Sequence, residues 1–364
     1  MQTPWHDLTT ETPDFTEYCA RWKDYVLNKG FPKQIPELQR EDNLPHLWPE
    51  DKNSPYAKVG VLCVHGFNET AFGMLDIATA AHKFGCRVQT IMLPGHGTSP
   101  HELASTKPDL WEETVAYGVR SMHDCEKIIL IGNSIGATLS LLEAAANPQR
   151  ISGALLISPA FGVCSIAKYL ARWFHLLQRP LRLGAWHKLQ PEVDYARYCS
   201  TQYISGLNSI SVMRKARNLK IKLSCANYMF LSEDDETIDV QKSLDFFNAQ
   251  AENLRHLDFY SNAAPPATEP TRKNHSSRFP DYSVLDFSHT GFMHKPDNPH
   301  YGADGDFFDF TYTTNIPLGS KPSYFGAITK QNAKIPGLAR LHFNPDFDRV
   351  TYAIEELLKR VTQA

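Results

Sequence analysis

The chain has no apolar run long enough to cross a membrane and no strong excess of charge of either sign. Its 364 residues include 37 basic and 40 acidic side chains, for a formal net charge of −3, and its mean hydropathy is −0.37. A membrane-spanning helix needs about 20 successive apolar residues, and nucleic-acid-binding domains usually carry a basic face. We therefore expect a soluble protein that does not bind nucleic acid.

Cysteine is scarce, and its spacing suggests neither disulfides nor a metal site. The seven cysteines are scattered and lie mostly inside apolar segments, at Cys19, Cys63, Cys86, Cys125, Cys164, Cys199 and Cys225. An odd number without a C-x-x-C pair is typical of free thiols in a reducing compartment. The Asp/Gly-rich stretch at 297–306 does not have the spacing of an EF-hand loop, and Met1–Asp7 does not resemble a secretory signal. We expect a cytoplasmic protein without a metal or cofactor.

One stretch carries a recognisable pattern, a Gly-x-Ser-x-Gly turn between a predicted strand and a predicted helix. Ile128–Ile131 is a short apolar run typical of a buried strand, and Ala137–Ala146 is typical of a helix. The turn between them, Gly132–Gly136, has the form of a nucleophile elbow. Glycines let strand and helix approach closely, and the helix N-terminus favours a developing negative charge. This pattern predicts Ser134 as a nucleophile.

Strands and helices alternate on both sides of this turn, which predicts an α/β fold. Predicted strands at Val59–Val64, Arg87–Leu93 and Gly153–Pro159 are separated by helical stretches. Such alternation is typical of a mostly parallel central sheet with helices on both faces. It resumes with predicted strands at Cys225–Leu231 and Leu254–Tyr260.

Four segments follow from this pattern. We expect an N-terminal arm at 1–56 with one helix over Asp14–Val26, a first core part at 57–160, a cap at 161–220 and a second core part at 221–364.

Two of these segments have features of their own. In the cap, the amphipathic stretch Ser165–Leu177 would pack on the core, and its basic and aromatic face could also touch lipid. The second core part has a polar, proline-rich insertion at 261–281, a predicted strand at Ser283–Phe287 and a final helix at Phe347–Val361.

A serine nucleophile needs a histidine base and a carboxylate that orients it. Both should follow later strands, because functional groups collect at the carboxyl ends of parallel strands. The acidic cluster after Leu231 supplies the carboxylate. We predict Asp235, with Asp234 and Asp239 as competitors and Asp239 as the cap of the next helix.

Position selects the base among 15 histidines. His289 closely follows a predicted strand and precedes Gly291, so we predict His289, with His294 as its rival and His300 third.

Acyl transfer also needs N–H donors for an oxyanion. The backbone N–H of Ile135 would be one donor and that of Phe67 the other, with the Phe67 ring as a wall of the acyl pocket. We expect His96, in the loop Pro94–Gly97, to be structural.

Taken together, these motifs resemble the α/β-hydrolase superfamily, and within it the carboxylesterase and monoacylglycerol-lipase-like serine hydrolases. The resemblance covers roughly residues 57–361 and depends on five elements in order, namely His65-Gly66-Phe67, Pro94-Gly95-His96-Gly97, Gly132-Asn133-Ser134-Ile135-Gly136, Asp235 and His289. It implies an α/β-hydrolase sheet, a cap inserted after the strand ending at Ser158, and hydrolysis through an acyl-enzyme.

The expected substrate is a small-molecule ester with a lipophilic, short-to-medium acyl chain, or a monoacylglycerol. Peptidase, thioesterase and acyltransferase activities use the same residues and stay open. The alternative of another class is a non-catalytic ligand-binding protein with this fold.

Overall fold

The computed structural model describes residues 3–6, 8, 14–29, 41–164, 185–263, 269–309 and 320–363. Within them lie twelve strands: β1 His46–Trp48, β2 Val59–Val64, β3 Arg87–Ile91, β4 Lys127–Asn133, β5 Ile151–Ile157, β6 Trp186–Lys188, β7 Thr201–Gln202, β8 Ala226–Ser232, β9 Arg255–Tyr260, β10 Arg272–His275, β11 Tyr324–Gly326 and β12 Leu338–Arg340. The α-helices are α1 Phe15–Lys29, α2 Leu75–His82, α3 Pro100–Ser105, α4 Pro108–Ser121, α5 Ile135–Ala146, α6 Tyr203–Leu219, α7 Val240–Ala249 and α8 Phe347–Gln363.

Eight of these strands form one sheet in the order β1-β3-β2-β4-β5-β8-β9-β10. Only β1 runs antiparallel to its neighbour; the other pairs are parallel. All six residues of β2 are buried, because helices cover both faces of the sheet. Leu62 and Val64 pack in a cluster with α4 and α5, while Val61 and Cys63 pack in another with α2 and α8. The predicted α/β architecture is confirmed.

The N-terminal arm is part of the core. Helix α1, close to its predicted bounds, buries Tyr18, Trp22 and Tyr25. The Tyr18 hydroxyl donates to the carbonyl of Met92 at 3.0 Å and accepts from the Met92 N–H at 3.3 Å. The arm also supplies β1, a three-residue strand that the sequence does not reveal.

The end of the sheet differs from the prediction. Ser283–Phe287 is not a strand: Ser283 has a φ of 55° and only Val284 makes isolated bridges. The eighth strand is instead β10, inside the segment predicted as a proline-rich insertion. Its sequence, Arg272-Lys273-Asn274-His275, is polar because it is an edge strand with one neighbour and no fully buried residue.

The described part of the cap contains the hairpin β6–β7 and the helix α6, which packs on α4 and α5. The whole amphipathic stretch Ser165–Leu177, like the rest of residues 165–184, lies outside the described residues, so its predicted role stays a prediction, as do the segment limits. In the described ranges, no helix combines the length and the apolarity needed to cross a bilayer.

Candidate active site

The backbone of the turn around Ser134 is so closely packed that it requires glycine on both sides of the serine. Ser134 stands between β4 and α5 with φ 54° and ψ −115°, a strained conformation for a residue with a side chain. A Cβ on Gly136 would lie 2.3 Å from the carbonyl oxygen of Val64, and one on Gly132 would lie 2.5 Å from the nitrogen of Ala137. Only glycine fits at these two positions, so strand and helix can meet closely enough to project the serine.

The structure brings Ser134, His289 and Asp235 into one hydrogen-bonded row. His289 Nε2 is 2.9 Å from Ser134 Oγ, and His289 Nδ1 is 2.6 Å from Asp235 Oδ2. The second carboxylate oxygen of Asp235 accepts from the N–H groups of Thr237 and Ile238 at 2.9 and 3.0 Å. These bonds fix the carboxylate at the carboxyl end of β8, so the imidazole is held between a carboxylate and a hydroxyl.

The electrostatics of this row favour a histidine that accepts a proton. Burial by itself lowers the pKa of His289, but the charge of Asp235 and its hydrogen bond outweigh burial, with smaller contributions from Glu236 and Glu69. The net effect raises the pKa of His289 above its ordinary value of 6.5. The imidazole is therefore a stronger base than a free histidine.

The competing acids make other contacts. Asp239 caps α7, where its carboxylate accepts from the N–H of Lys242, and this confirms the predicted cap. Asp234 accepts from the Ser277 hydroxyl at 3.2 Å, and burial, the largest influence, raises its pKa to about 6.

The rival histidines also have other partners. His294 is buried with its Nδ1 3.7 Å from Asp76, and its ring packs on Phe72. His300 lies between Asp194 and Asp306 at 3.1 and 2.5 Å. Among the described histidines, only His289 hydrogen-bonds Ser134.

The two residues predicted to supply oxyanion donors, Phe67 and Ile135, line the same cavity as Ser134. Ile135 follows the serine, and Phe67 lies in the loop after β2. Neither N–H hydrogen-bonds another described residue. Their role as oxyanion donors stays a prediction.

Two buried histidines, His65 and His96, hydrogen-bond the backbone of the loop after β2 and of the loop Pro94–Gly97. His65 Nδ1 bonds the carbonyl of Gly66 at 2.8 Å, and its Nε2 accepts from the N–H of Leu93 at 3.0 Å. Burial lowers the pKa of His65 to about 4, so the ring is neutral. His96 is likewise buried, its Nδ1 near the carbonyls of Leu93 and Pro94. These are the contacts of a structural residue.

The cavity has a volume of about 520 Å³ and is lined by four charged residues that sequence analysis did not single out as functional: Glu69, Arg197, Glu236 and Arg340. Glu236 Oε1 lies 3.0 Å from Arg340 Nε, and its Oε2 accepts from the backbone N–H of His289 at 3.3 Å. Burial raises the pKa of Glu236, opposed mainly by Arg340. Nothing local in the sequence reveals this pair, because its two members are far apart in the chain.

The fold and this arrangement define an α/β-hydrolase. The profile of the serine aminopeptidase S33 family matches residues 56–264, more than half of the chain. The protein belongs to this family.

Several known proteins are similar to this chain in sequence or in structure. The chain is 30% identical over 181 residues to a thermostable monoacylglycerol lipase of Bacillus sp. (strain H-257), covering 50% of this chain and 72% of that protein. A solved structure from the work on the metagenome-derived lipolytic enzymes LipS and LipT matches with a TM-score of 0.51 and 21% identity, over 60% of this chain and 87% of the other. The monoacylglycerol lipase of Paleococcus ferrophilus matches with a TM-score of 0.48 and 16% identity, over 64% and 88%.

Proposed function

We propose that this hydrolase cleaves carboxylic esters through an acyl-enzyme on Ser134. The observation that carries the proposal is the row of hydrogen bonds from Ser134 Oγ through His289 to Asp235, at 2.9 and 2.6 Å. A serine hydroxyl is a weak nucleophile without such a base, and a row of this kind has no evident purpose in a protein that only binds ligands.

The proposed reaction has two steps. In acylation, Ser134 Oγ attacks the ester carbonyl while His289 Nε2 takes its proton; His289 then gives that proton to the alcohol oxygen as the carbon–oxygen bond breaks. In deacylation, His289 takes a proton from water, the resulting hydroxide attacks the acyl carbon, and Ser134 leaves with the proton. Asp235 orients the imidazole in both steps, and the N–H groups of Phe67 and Ile135 stabilise the oxyanion.

The lining and the volume of the cavity support a substrate with a lipophilic acyl group of short to medium length. The apolar side chains in its lining include Val163, Ile210, Met213 and Ile238. Its volume of about 520 Å³ is in the range of small-molecule sites. The relative from Bacillus is named a monoacylglycerol lipase, and a monoacylglycerol is one substrate we propose here.

The family name raises aminopeptidase activity as an alternative. An aminopeptidase needs a free acceptor for the substrate's terminal ammonium group, and the cavity offers Glu69 and Glu236. Glu69 already accepts from the Gly66 N–H at 2.8 Å and from the Asn133 amide, and Glu236 is paired with Arg340. Because both carboxylates are engaged, we favour the esterase.

A p-nitrophenyl ester series, from acetate to palmitate, tests the proposal. We expect wild type to prefer a short-to-medium chain, and Ser134→Ala and His289→Ala to lose about 10³-fold or more of kcat. A fluorophosphonate probe should label wild type and not Ser134→Ala. Failure of wild type both to react with the probe and to cleave any ester would overturn the proposal in favour of a ligand-binding protein.

A further inference from the structure

Arg197 lines the Ser134 cavity, and no residue that the structure describes accepts a hydrogen bond from its guanidinium. Its side chain is about 20% exposed, and the nearest carboxylate oxygen is Asp194 Oδ2, 4.0 Å from Nε. Within the described residues the guanidinium makes no hydrogen bond, and its Nη1 is fully buried. A largely buried guanidinium with unused donors needs an oxygen acceptor, since leaving such a group unsatisfied is costly.

Asp194 does not fill this need. Its Oδ2 accepts from the Tyr301 hydroxyl at 2.7 Å, and its Oδ1 lies 3.1 Å from His300 Nε2. The carboxylate is thus held by other groups, at a distance from Arg197 that allows charge attraction but no hydrogen bond. The buried Nη1 is out of reach of the cavity, but the exposed part of the guanidinium can donate to whatever occupies it, whether water or a substrate.

The backbone fixes Arg197 beside the loop that carries the proposed oxyanion donor. Arg197 and Glu69 form an antiparallel bridge, and the N–H of Tyr198 donates to the carbonyl of Asn68 at 2.7 Å. This wall of the cavity is polar, with Asn68, Glu69, Thr201 and Gln202 beside Arg197. An acyl chain would contact the apolar lining residues named above, which leaves these polar residues for the alcohol half of an ester.

The charge of the lining decides which kind of oxygen fits. Arg197 and Arg340 are balanced in the lining by Glu69 and Glu236, and Asp194, Asp309 and Glu69 all favour the charged state of Arg197. An anionic group would be attracted by the arginines but repelled by these carboxylates. A neutral hydroxyl or ether oxygen can accept from Arg197 without this repulsion.

We propose that Arg197 determines specificity for the alcohol half of the substrate, by donating hydrogen bonds to neutral oxygen atoms of a hydroxylated leaving alcohol such as glycerol. The inference rests on the proposed esterase function. Because the alcohol departs in acylation, Arg197 acts only in that step, and the hydrolysis of the acyl-enzyme is the same for all esters of one acid.

Three esters of one acid separate this role from a structural one: 1-octanoylglycerol, methyl octanoate and 1-octanoylglycerol 3-phosphate. For each, kcat/KM is measured by release of octanoate, with wild type, Arg197→Met and Arg197→Lys. The matched control is Arg87→Met, since Arg87 is also about 21% exposed but pairs with Glu50 and Asp124 at the start of β3.

We expect Arg197→Met to lower kcat/KM for 1-octanoylglycerol about 10-fold or more, the effect of a hydrogen bond to a charged group, and to change methyl octanoate little. Arg197→Lys should be intermediate, because lysine keeps a donor but lacks the planar fork. Arg87→Met should leave the ratio of the two esters unchanged. If Arg197→Met does not fold, Arg197→Gln gives the same comparison.

Three results would overturn the proposal: equal losses on all three esters, which would mean a structural role; no loss on the glycerol ester; or the largest loss on the phosphate ester, which would mean recognition of an anion. If wild type cleaves none of the esters, the proposed function itself fails, and this outcome is distinct from the other three.

Discussion

Replacing Arg340 by methionine should destabilise the protein by an amount that grows with pH. Arg340 and Glu236 form an ion pair whose side chains are only 13% and 9% exposed. Methionine fills similar space but leaves the carboxylate without its cation. Removing one partner of a buried pair typically costs about 3–5 kcal/mol, and we expect a loss of unfolding free energy in that range near pH 8.

The pH dependence follows from the pKa of Glu236. Burial already raises this pKa, and Arg340 is the main influence that lowers it, so the variant should have a still higher pKa in the folded state. A carboxyl group with a raised folded pKa binds its proton more tightly when folded, so its destabilising effect is absent at low pH and develops as pH rises through the folded pKa. The deficit should therefore be smallest near pH 5. Arg340 also lies 3.9 Å from Asp309, but in the variant this carboxylate still has His342 as a neighbour at 3.8 Å.

Urea unfolding of wild type and Arg340→Met at about pH 5.5, 7 and 8.5 measures this deficit. The double variant Glu236→Gln/Arg340→Met should recover much of the loss, because a neutral amide replaces the unpaired charge. Arg87→Met, which breaks a more exposed pair, should cost about 1 kcal/mol or less at every pH. A deficit independent of pH, or a double variant as unstable as the single one, would refute the reasoning.

Three further predictions concern the site and its scaffold. The acid limb of kcat/KM for a p-nitrophenyl ester should have an apparent pKa above 6.5, because the carboxylates raise the pKa of His289, which must be neutral to act; a limb at or below 6.5 would contradict this. Gly136→Ala should abolish activity or folding, as judged by circular dichroism and the same ester, since its Cβ would lie 2.3 Å from the carbonyl oxygen of Val64; an active, stable variant would contradict the close approach. Asp239→Ala should lower unfolding free energy in urea by about 0.5–2 kcal/mol through loss of the α7 cap, with little change in kcat; a large fall in kcat with unchanged stability would instead indicate a role in the site.

Sequence patterns were informative where burial and local backbone geometry decide the structure. β2 and the apolar part of β4 are continuous apolar runs because helices cover both of their faces. The Ser134 turn is visible because two of its positions admit only glycine.

The same patterns failed at the edge of the sheet. There the polar strand β10 lacks the signature of a buried strand, while the apolar Ser283–Phe287 is buried in part without pairing as a strand. Arg197 and Arg340 were not predicted, because an ion pair or a cavity wall built from distant segments leaves no local spacing to detect.

The bond between Tyr18 and Met92 bears on where this protein can be shortened. The family match begins at residue 56, which would suggest that the preceding residues can be trimmed. Without α1, the N–H and carbonyl of Met92 would lose their shared partner, and the ring of Tyr117, now packed against Phe15 and Tyr18, would become more exposed to water. We therefore expect a chain cut at the family boundary to expose apolar surface next to the loop that carries His96, and to aggregate more readily than the full chain.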